Sequence, residues 1–317
     1  MKALVTGGAG FIGSHLVDRL IADGHEVHVW DDLSTGRAEN VNPKAHLHEL
    51  SILMTLTVDR YDWIFHLAGR ADLVPSIEWP EEYMDVNVMG TVMLLEHARR
   101  TGCQRFVYAA SSSCYGQYPV TPTDENAPIQ PAHPYALSKR LGEEAALHWD
   151  RVYGVPVVSL RLFNVYGPRA RTTGAYGAVM GTFLAQRANC APLTVIGDGK
   201  QARDFVWVED VVDAFVKAAE SDARGIFNIG TGEAVSINRL AALIGGPIVR
   251  VPARGGEPAI TQADARKAAR DLGWKATTSI VEGLGRLLND VGAFRHAPVW
   301  TPDSIALASE TWHKHLG

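Results

Sequence analysis

Lys2-Ala3-Leu4-Val5-Thr6-Gly7-Gly8-Ala9-Gly10-Phe11-Ile12-Gly13 joins a short apolar run to a glycine turn, and Leu16, Val17, Leu20 and Ile21 then recur with the spacing of one helix face. Strand, glycine turn and helix in that order form the context of a dinucleotide fingerprint. Gly7, Gly10 and Gly13 let the chain turn sharply, let a pyrophosphate approach the backbone, and let helix and strand pack closely. The helix N-terminus then offers free N–H groups and the positive end of its dipole to phosphate.

Working outward, the same alternation continues. Lys2 to Val5, Glu26 to Trp30, Asp62 to Leu67, Arg105 to Ala110 and Pro156 to Leu160 read as buried strands. Helical patterns lie between them, including Val88, Val92, Leu95 and Ala98. Strands alternating with helices predict an α/β fold whose parallel sheet carries helices on both faces. After Arg161 the chain is punctuated by glycine and proline and reads as loop-rich structure shaping a pocket. Val208, Val211, Val212, Phe215, Val216 and Ala219 restore a helical period, and Gly225 to Ile229 rejoins the sheet. The predicted division is residues 1–165 with 205–230 as one domain, 166–204 with 231–290 as a smaller one, and 291–317 as a C-terminal extension. That extension holds Trp300, Pro302 and Trp312 without a clear period and receives no role.

At 317 residues, with 46% hydrophobic and 21% charged residues, the chain has the composition of a soluble globular protein. A net charge of −5 argues against a polyanion-binding surface, so nucleic acid is not an expected partner. Cys103, Cys114 and Cys190 show no paired or metal-type spacing; free thiols in a reducing, cytoplasmic compartment are expected, and no metal site. No apolar stretch approaches the roughly 20 residues of a membrane span.

Two further features carry chemistry. Trp30-Asp31-Asp32 ends the second strand about 20 residues beyond the glycines, where a carboxylate accepts hydrogen bonds from an adenosine ribose. Asp31 is the preferred residue. A 2′-phosphate would be repelled by this pair, which favours NAD over NADP, with Arg37 nearby as the opposing cation. Tyr135 and Lys139 stand four apart, on one face of a helix, where an ammonium can lower a phenol's pKa and make it a usable base.

TGGAGFIG at the N-terminus, DDLSTG, HLAG at 66–69, DVNVMGT at 85–91, SSSCYG at 111–116, YALSK at 135–139, RLFNVYGPR at 161–169 and GDGKQARDFVWVEDV at 197–211 together resemble the extended short-chain dehydrogenase/reductase superfamily. More narrowly they resemble its NAD-dependent epimerase/dehydratase members of the UDP-glucose 4-epimerase type. The resemblance implies a Rossmann doubly wound sheet that binds NAD, a smaller C-terminal domain that binds a nucleoside diphosphate sugar, and a homodimer packed through the helix of Tyr135 and the one before Arg105. It implies Ser111, Tyr135 and Lys139 as catalytic residues, with Ser112 the neighbouring candidate hydroxyl. Around the cofactor it implies Phe11, Ile12, Asp32, Ser51, Ile52, Leu67, Ala68, Gly69 and Asn87 beside the glycines, Asp31, Tyr135 and Lys139. His66 reads as a packed strand-end histidine. Toward substrate the resemblance implies Arg70, Ser111, Ser112, Asn164, Val195, Arg203, Arg254 and Thr261, with arginine suited to phosphate by its planar fork.

Three departures bear on the substrate. Thr261 stands where some relatives place a tyrosine that restricts the sugar pocket, Ile196 where many have an aromatic residue near the base, and Ser51 where an aspartate is usual. Dehydratases and decarboxylases of the superfamily carry an acid directly after the catalytic hydroxyl, whereas this chain has Ser111-Ser112-Ser113. Reversible oxidation and reduction at the sugar 4-hydroxyl, hence epimerisation, is therefore the expected reaction. Dehydration or decarboxylation, and a non-catalytic NAD-binding regulator, are the rival readings.

Overall fold

In the computed structural model, which describes residues 1–54, 59–117, 119–172, 179–253 and 255–316, the elements follow in this order. The first half contains β1 (Lys2–Thr6), α1 (Phe11–Ala22), β2 (Glu26–Asp31), β3 (His46–Glu49), β4 (Trp63–His66), α2 (Leu73–Glu78), α3 (Pro80–Met84), α4 (Gly90–Thr101), β5 (Arg105–Ser111), α5 (Pro134–Tyr153) and β6 (Val157–Leu162). Then come β7 (Asn164–Tyr166), α6 (Val179–Ala188), β8 (Leu193–Ile196), β9 (Ala202–Trp207), α7 (Val208–Glu220), β10 (Gly225–Ile229), β11 (Ala234–Ser236), α8 (Ile237–Ile244) and β12 (Ile248–Val251). The chain ends with α9 (Arg266–Asp271), α10 (Ile280–Asn289), α11 (Pro302–Ala308) and α12 (Glu310–Leu316).

Seven strands form one sheet in the order β10-β6-β5-β4-β1-β2-β3, and every neighbouring pair is parallel. Read from β3 to β6 this is the 3-2-1-4-5-6 order of the Rossmann fold. The direction of winding reverses between β1 and β4, so a crevice opens beyond the C-terminal ends of those strands. Both faces are covered, which is why β4 and β6 are buried from end to end. On one face Leu16, Val17 and Leu20 of α1 meet Val211, Val212 and Phe215 of α7; on the other, Leu94 and Leu95 of α4 pack with Phe106 and Tyr108 of β5 and Ala146 of α5. All six residues that gave α7 its period are buried, each such aliphatic side chain contributing about 1.5–3 kcal/mol.

Within this sheet, β3 is the strand that periodicity did not predict. Its residues are His-Leu-His-Glu, three of them exposed, because it is the sheet's edge and buries little apolar surface. The region after Arg161 is also more regular than its glycine and proline content suggests. β9 pairs with β7 and β11 in a three-stranded sheet, and β8 pairs with β12. Together with α6, α8 and α10 they enclose a second core around Phe183, Leu193, Phe205, Trp207, Leu240 and Leu284. The return to the large sheet begins with α7, since β9 belongs to the smaller layer. Among the described residues, no helix is long and apolar enough to cross a membrane.

Candidate active site

The crevice between β1 and β4 is built from loops that touch. Gly7 has φ +72°, and a Cβ there would stand 2.7 Å from the Ala68 nitrogen, while one at Gly13 would overlap the Gly7 carbonyl oxygen. Gly10 is the N-cap of α1 and supplies no side-chain cap, so the N-terminal N–H groups of a twelve-residue helix are left for a ligand. Phe11 begins that helix and reaches the neighbouring cavity; Ile12 packs into the core. At the end of β2, Asp31 is 8% exposed and accepts hydrogen bonds from the Ala9 and Leu33 N–H groups, both at 2.9 Å. Burial raises its pKa against those donors. Asp32 is exposed and accepts from the Ser34 N–H and hydroxyl. The Ser51 hydroxyl accepts from the Leu53 N–H, and Ile52 is buried against Gly90.

Beyond β4, Leu67-Ala68-Gly69 forms the opposite lip. A continuous helical run connects α3 to α4 through a π-helical segment, Asp85–Met89, that carries Asn87. The Asn87 amide is committed within the protein: Oδ1 accepts the Arg70 N–H at 2.8 Å, and Nδ2 donates to the Arg70 carbonyl at 3.0 Å and the Ser138 hydroxyl at 2.9 Å. It thereby fixes the backbone after Gly69. His66 is fully packed: Nδ1 lies 2.8 Å from the Thr6 hydroxyl and Nε2 2.9 Å from the Thr91 hydroxyl, which itself donates to the Asn87 carbonyl. Burial, followed by the charge of Lys139, pulls its pKa to about 3, so the ring is neutral.

Lys139 projects from the first turns of α5 toward this lip. Its ammonium sits 4.6 Å from the Tyr108 ring centroid, and a Cβ on Gly69 would be 3.9 Å from it. The side chain is buried, and among the described residues no carboxylate forms a salt bridge with it. Burial lowers its pKa to about 8, with Glu143 opposing. An unpaired buried ammonium, an uncapped helix N-terminus and a buried carboxylate fit, in that order, a nicotinamide ribose, a pyrophosphate and an adenosine ribose. The residues suit NAD.

Next to the crevice lies a cavity of about 560 Å³. Ser111, Ser112, Ser113 and Tyr135 are on its wall, together with Asn164, Arg203 and Thr261. β5 ends at Ser111 and passes into a short 3₁₀ turn; the Ser111 and Ser113 hydroxyls lie 2.8 Å apart, and Ser111 accepts the Ser113 N–H. His133 caps α5 through its Nδ1, which accepts the Ala136 N–H, and Pro134 follows at the first helical position. The Tyr135 pKa is raised by burial, opposed by a hydrogen bond with Ser111. This is the reverse of the direction expected from Lys139. The ammonium lies over the Tyr108 ring and beside Gly69, where its charge acts on His66.

The substrate-side expectations divide. Thr261 donates to Asn164 Oδ1 at 3.4 Å, and Arg203 holds the Ala202 and Pro258 carbonyls and Glu257. Arg254 lies outside the described residues. Two expected residues lie off this cavity's wall. Strand alternation turns Val195 into the core while its neighbours Thr194 and Ile196 face the cavity. The Arg70 side chain turns away to Glu82, 3.4 Å distant, and the cavity instead carries Arg171, paired with Asp72 at 2.6 Å. Nothing in the loop sequence marked Arg171. Nor did spacing reveal Arg161, whose guanidinium meets Glu143 one turn beyond Lys139. Far from the cavity, Glu26, His28 and His46 place potential ligand atoms within 4.8 Å of one another, a group that the cysteine spacing gave no reason to expect.

Comparison with known proteins agrees with this geometry. Residues 3–230 match the model of the NAD dependent epimerase/dehydratase family. A putative UDP-glucose 4-epimerase of Methanocaldococcus jannaschii is 37% identical over 298 residues, covering 90% of this chain and 97% of that protein. UDP-glucuronic acid decarboxylase 1 of Arabidopsis thaliana is 37% identical over 308 residues, 92% of this chain and 69% of that one. Among solved structures, the UDP-glucose 4-epimerase of Thermotoga maritima with UDP-glucose superposes with a TM-score of 0.87 at 35% identity, covering 91% and 98% of the two chains. By sequence, fold and cofactor crevice, this chain is a member of the NAD dependent epimerase/dehydratase family.

Proposed function

We propose that the protein is a nucleotide-sugar 4-epimerase, inverting the 4-hydroxyl of a UDP-hexose through a transient 4-keto sugar. The observation that carries this reading is the wall beside Tyr135. Ser111, Ser112 and Ser113 occupy it, and the carboxylates lining the cavity, Asp72 and Glu257, are each paired with an arginine. Eliminating water or carbon dioxide calls for a free acid at that wall; oxidation followed by reduction does not.

NAD, when bound, supplies the hydride acceptor and gives the hydride back. Lys139 holds the ribose and keeps positive charge beside the crevice. The Ser111 hydroxyl both donates and accepts, and passes the proton between the sugar 4-oxygen and the Tyr135 phenolate. Tyr135 takes that proton in the first half and returns it in the second, so its two protonation states are used in turn. Arg203, Asn164 and Arg254 hold the diphosphate and its ribose, leaving the sugar free to turn. Asp31 excludes a 2′-phosphate. Met89, Leu137, Val152 and Tyr153 leave apolar surface exposed along the helical run of Asn87 and α5, which supports a homodimer through those helices; the cytoplasm is the proposed compartment.

Incubation with UDP-glucose, UDP-N-acetylglucosamine, UDP-glucuronate and dTDP-glucose, with product stereochemistry read by NMR, tests the proposal. One UDP-sugar should convert to its 4-epimer without accumulating NADH. A dehydrated or decarboxylated end product would favour the rival chemistry.

A further inference from the structure

The C-terminal extension, to which neither periodicity nor the family match at 3–230 assigns a role, is built against the cavity. Asn189 donates to the Arg295 carbonyl at 3.1 Å, and Gln186 donates to the Trp300 carbonyl at 2.7 Å. The same Gln186 also bonds the Thr194 hydroxyl and N–H, so the start of the segment is fixed to a residue of the cavity wall. Thr301 and Ser304 close a capping box on α11. At the far end, Trp312 is 3% exposed and donates Nε1–H to the Gly255 carbonyl at 2.6 Å, while Thr311 reaches Glu78 of α2 at 3.1 Å. α12 therefore ties the loop bearing Glu257 to the Rossmann side.

Pro298, Trp300 and Trp312 all line the cavity. Trp312 does so at the end where chemistry is expected: its ring is 6.3 Å from His133, which stacks on Tyr135 at 5.9 Å with planes 7° apart. Extended indole surface beside hydroxyl-bearing groups suits the apolar face of a sugar ring. Thr261, small where some relatives are bulky, lines the same cavity.

We infer that the C-terminal segment is the outer wall of the substrate cavity and that Trp312 is a specificity-determining residue at its sugar end, limiting the size of sugar admitted beside Tyr135. This rests on the nucleotide-sugar reading above. The test measures binding of UDP and of the UDP-sugar panel to the full-length protein with Trp312→Ala and Trp312→Phe, using retained NAD and thermal melting as controls for folding. Trp312→Ala should weaken UDP-hexose binding about tenfold, penalise UDP-N-acetylhexosamine less, and leave UDP itself within about twofold, with Phe restoring most of the loss. Unchanged UDP-sugar binding, or an equal loss for UDP, would overturn the inference and leave the segment a structural brace. Failure of the unmodified protein to bind any UDP compound would instead remove the reading on which it rests.

Discussion

Arg161 of β6 places its guanidinium on the Glu143 carboxylate of α5 through three hydrogen bonds of 2.7–3.2 Å, with both side chains 1% exposed. Ser159 and Arg140 add bonds to the same carboxylate, and Arg161 also donates to the Tyr115 hydroxyl. The pair joins the helix of Tyr135 and Lys139 to the sheet one turn below the catalytic residues. Removing one partner strands a buried charge. Glu143→Ala should cost about 3–5 kcal/mol in chemical denaturation, and Glu143→Met with Arg161→Met together should cost less than the sum of the singles. Additive losses would show that the pair is not coupled.

Tyr135→Phe removes the proton carrier and little else. Turnover should fall by about 10²–10⁴, with NAD still retained after gel filtration and the melting temperature nearly unchanged. Full activity in this variant would transfer the role to another group.

Gly7 tests the crevice. A methyl group there meets the Ala68 backbone at 2.7 Å and occupies a left-handed conformation that L residues rarely adopt. Gly7→Ala should force the β1 and β4 loops apart and lower NAD affinity by about tenfold or more, as read by calorimetry on the folded protein. Unaltered affinity would place the cofactor elsewhere.

One buried and one half-buried histidine set an acid limit. Burial holds His66 at about 3 and His133 at about 4, both below the ordinary value of 6.5. Between those values the unfolded chain binds more protons, so stability falls as pH drops through 6.5 and keeps falling until the folded-state values are reached. Melting temperatures from about pH 7.5 down to about pH 4.5 should decline less steeply in His133→Gln than in the unmodified protein. Equal slopes would mean that His133 titrates normally.

The sheet and cofactor side were legible because their signals are local. Gly7, Gly10 and Gly13 must follow a strand, Asp31 must end the next one, and α7 spells out its buried face. The edge strand His46–Glu49 escaped notice because a polar edge has no period to read. The cavity's far wall was hidden for another reason: Asp72 with Arg171, and Trp312 with His133, meet only across about 100–180 residues of chain. Along β8 the side of the wall is set by alternation, since one step from Thr194 to Val195 exchanges cavity for core.

The most direct measurement follows the hydride. A UDP-hexose that the protein turns over, deuterated at C4, should yield the 4-epimer with deuterium retained at C4 and no free NADH. Loss of deuterium to solvent, stoichiometric NADH, or a product lacking water or carbon dioxide would contradict the account.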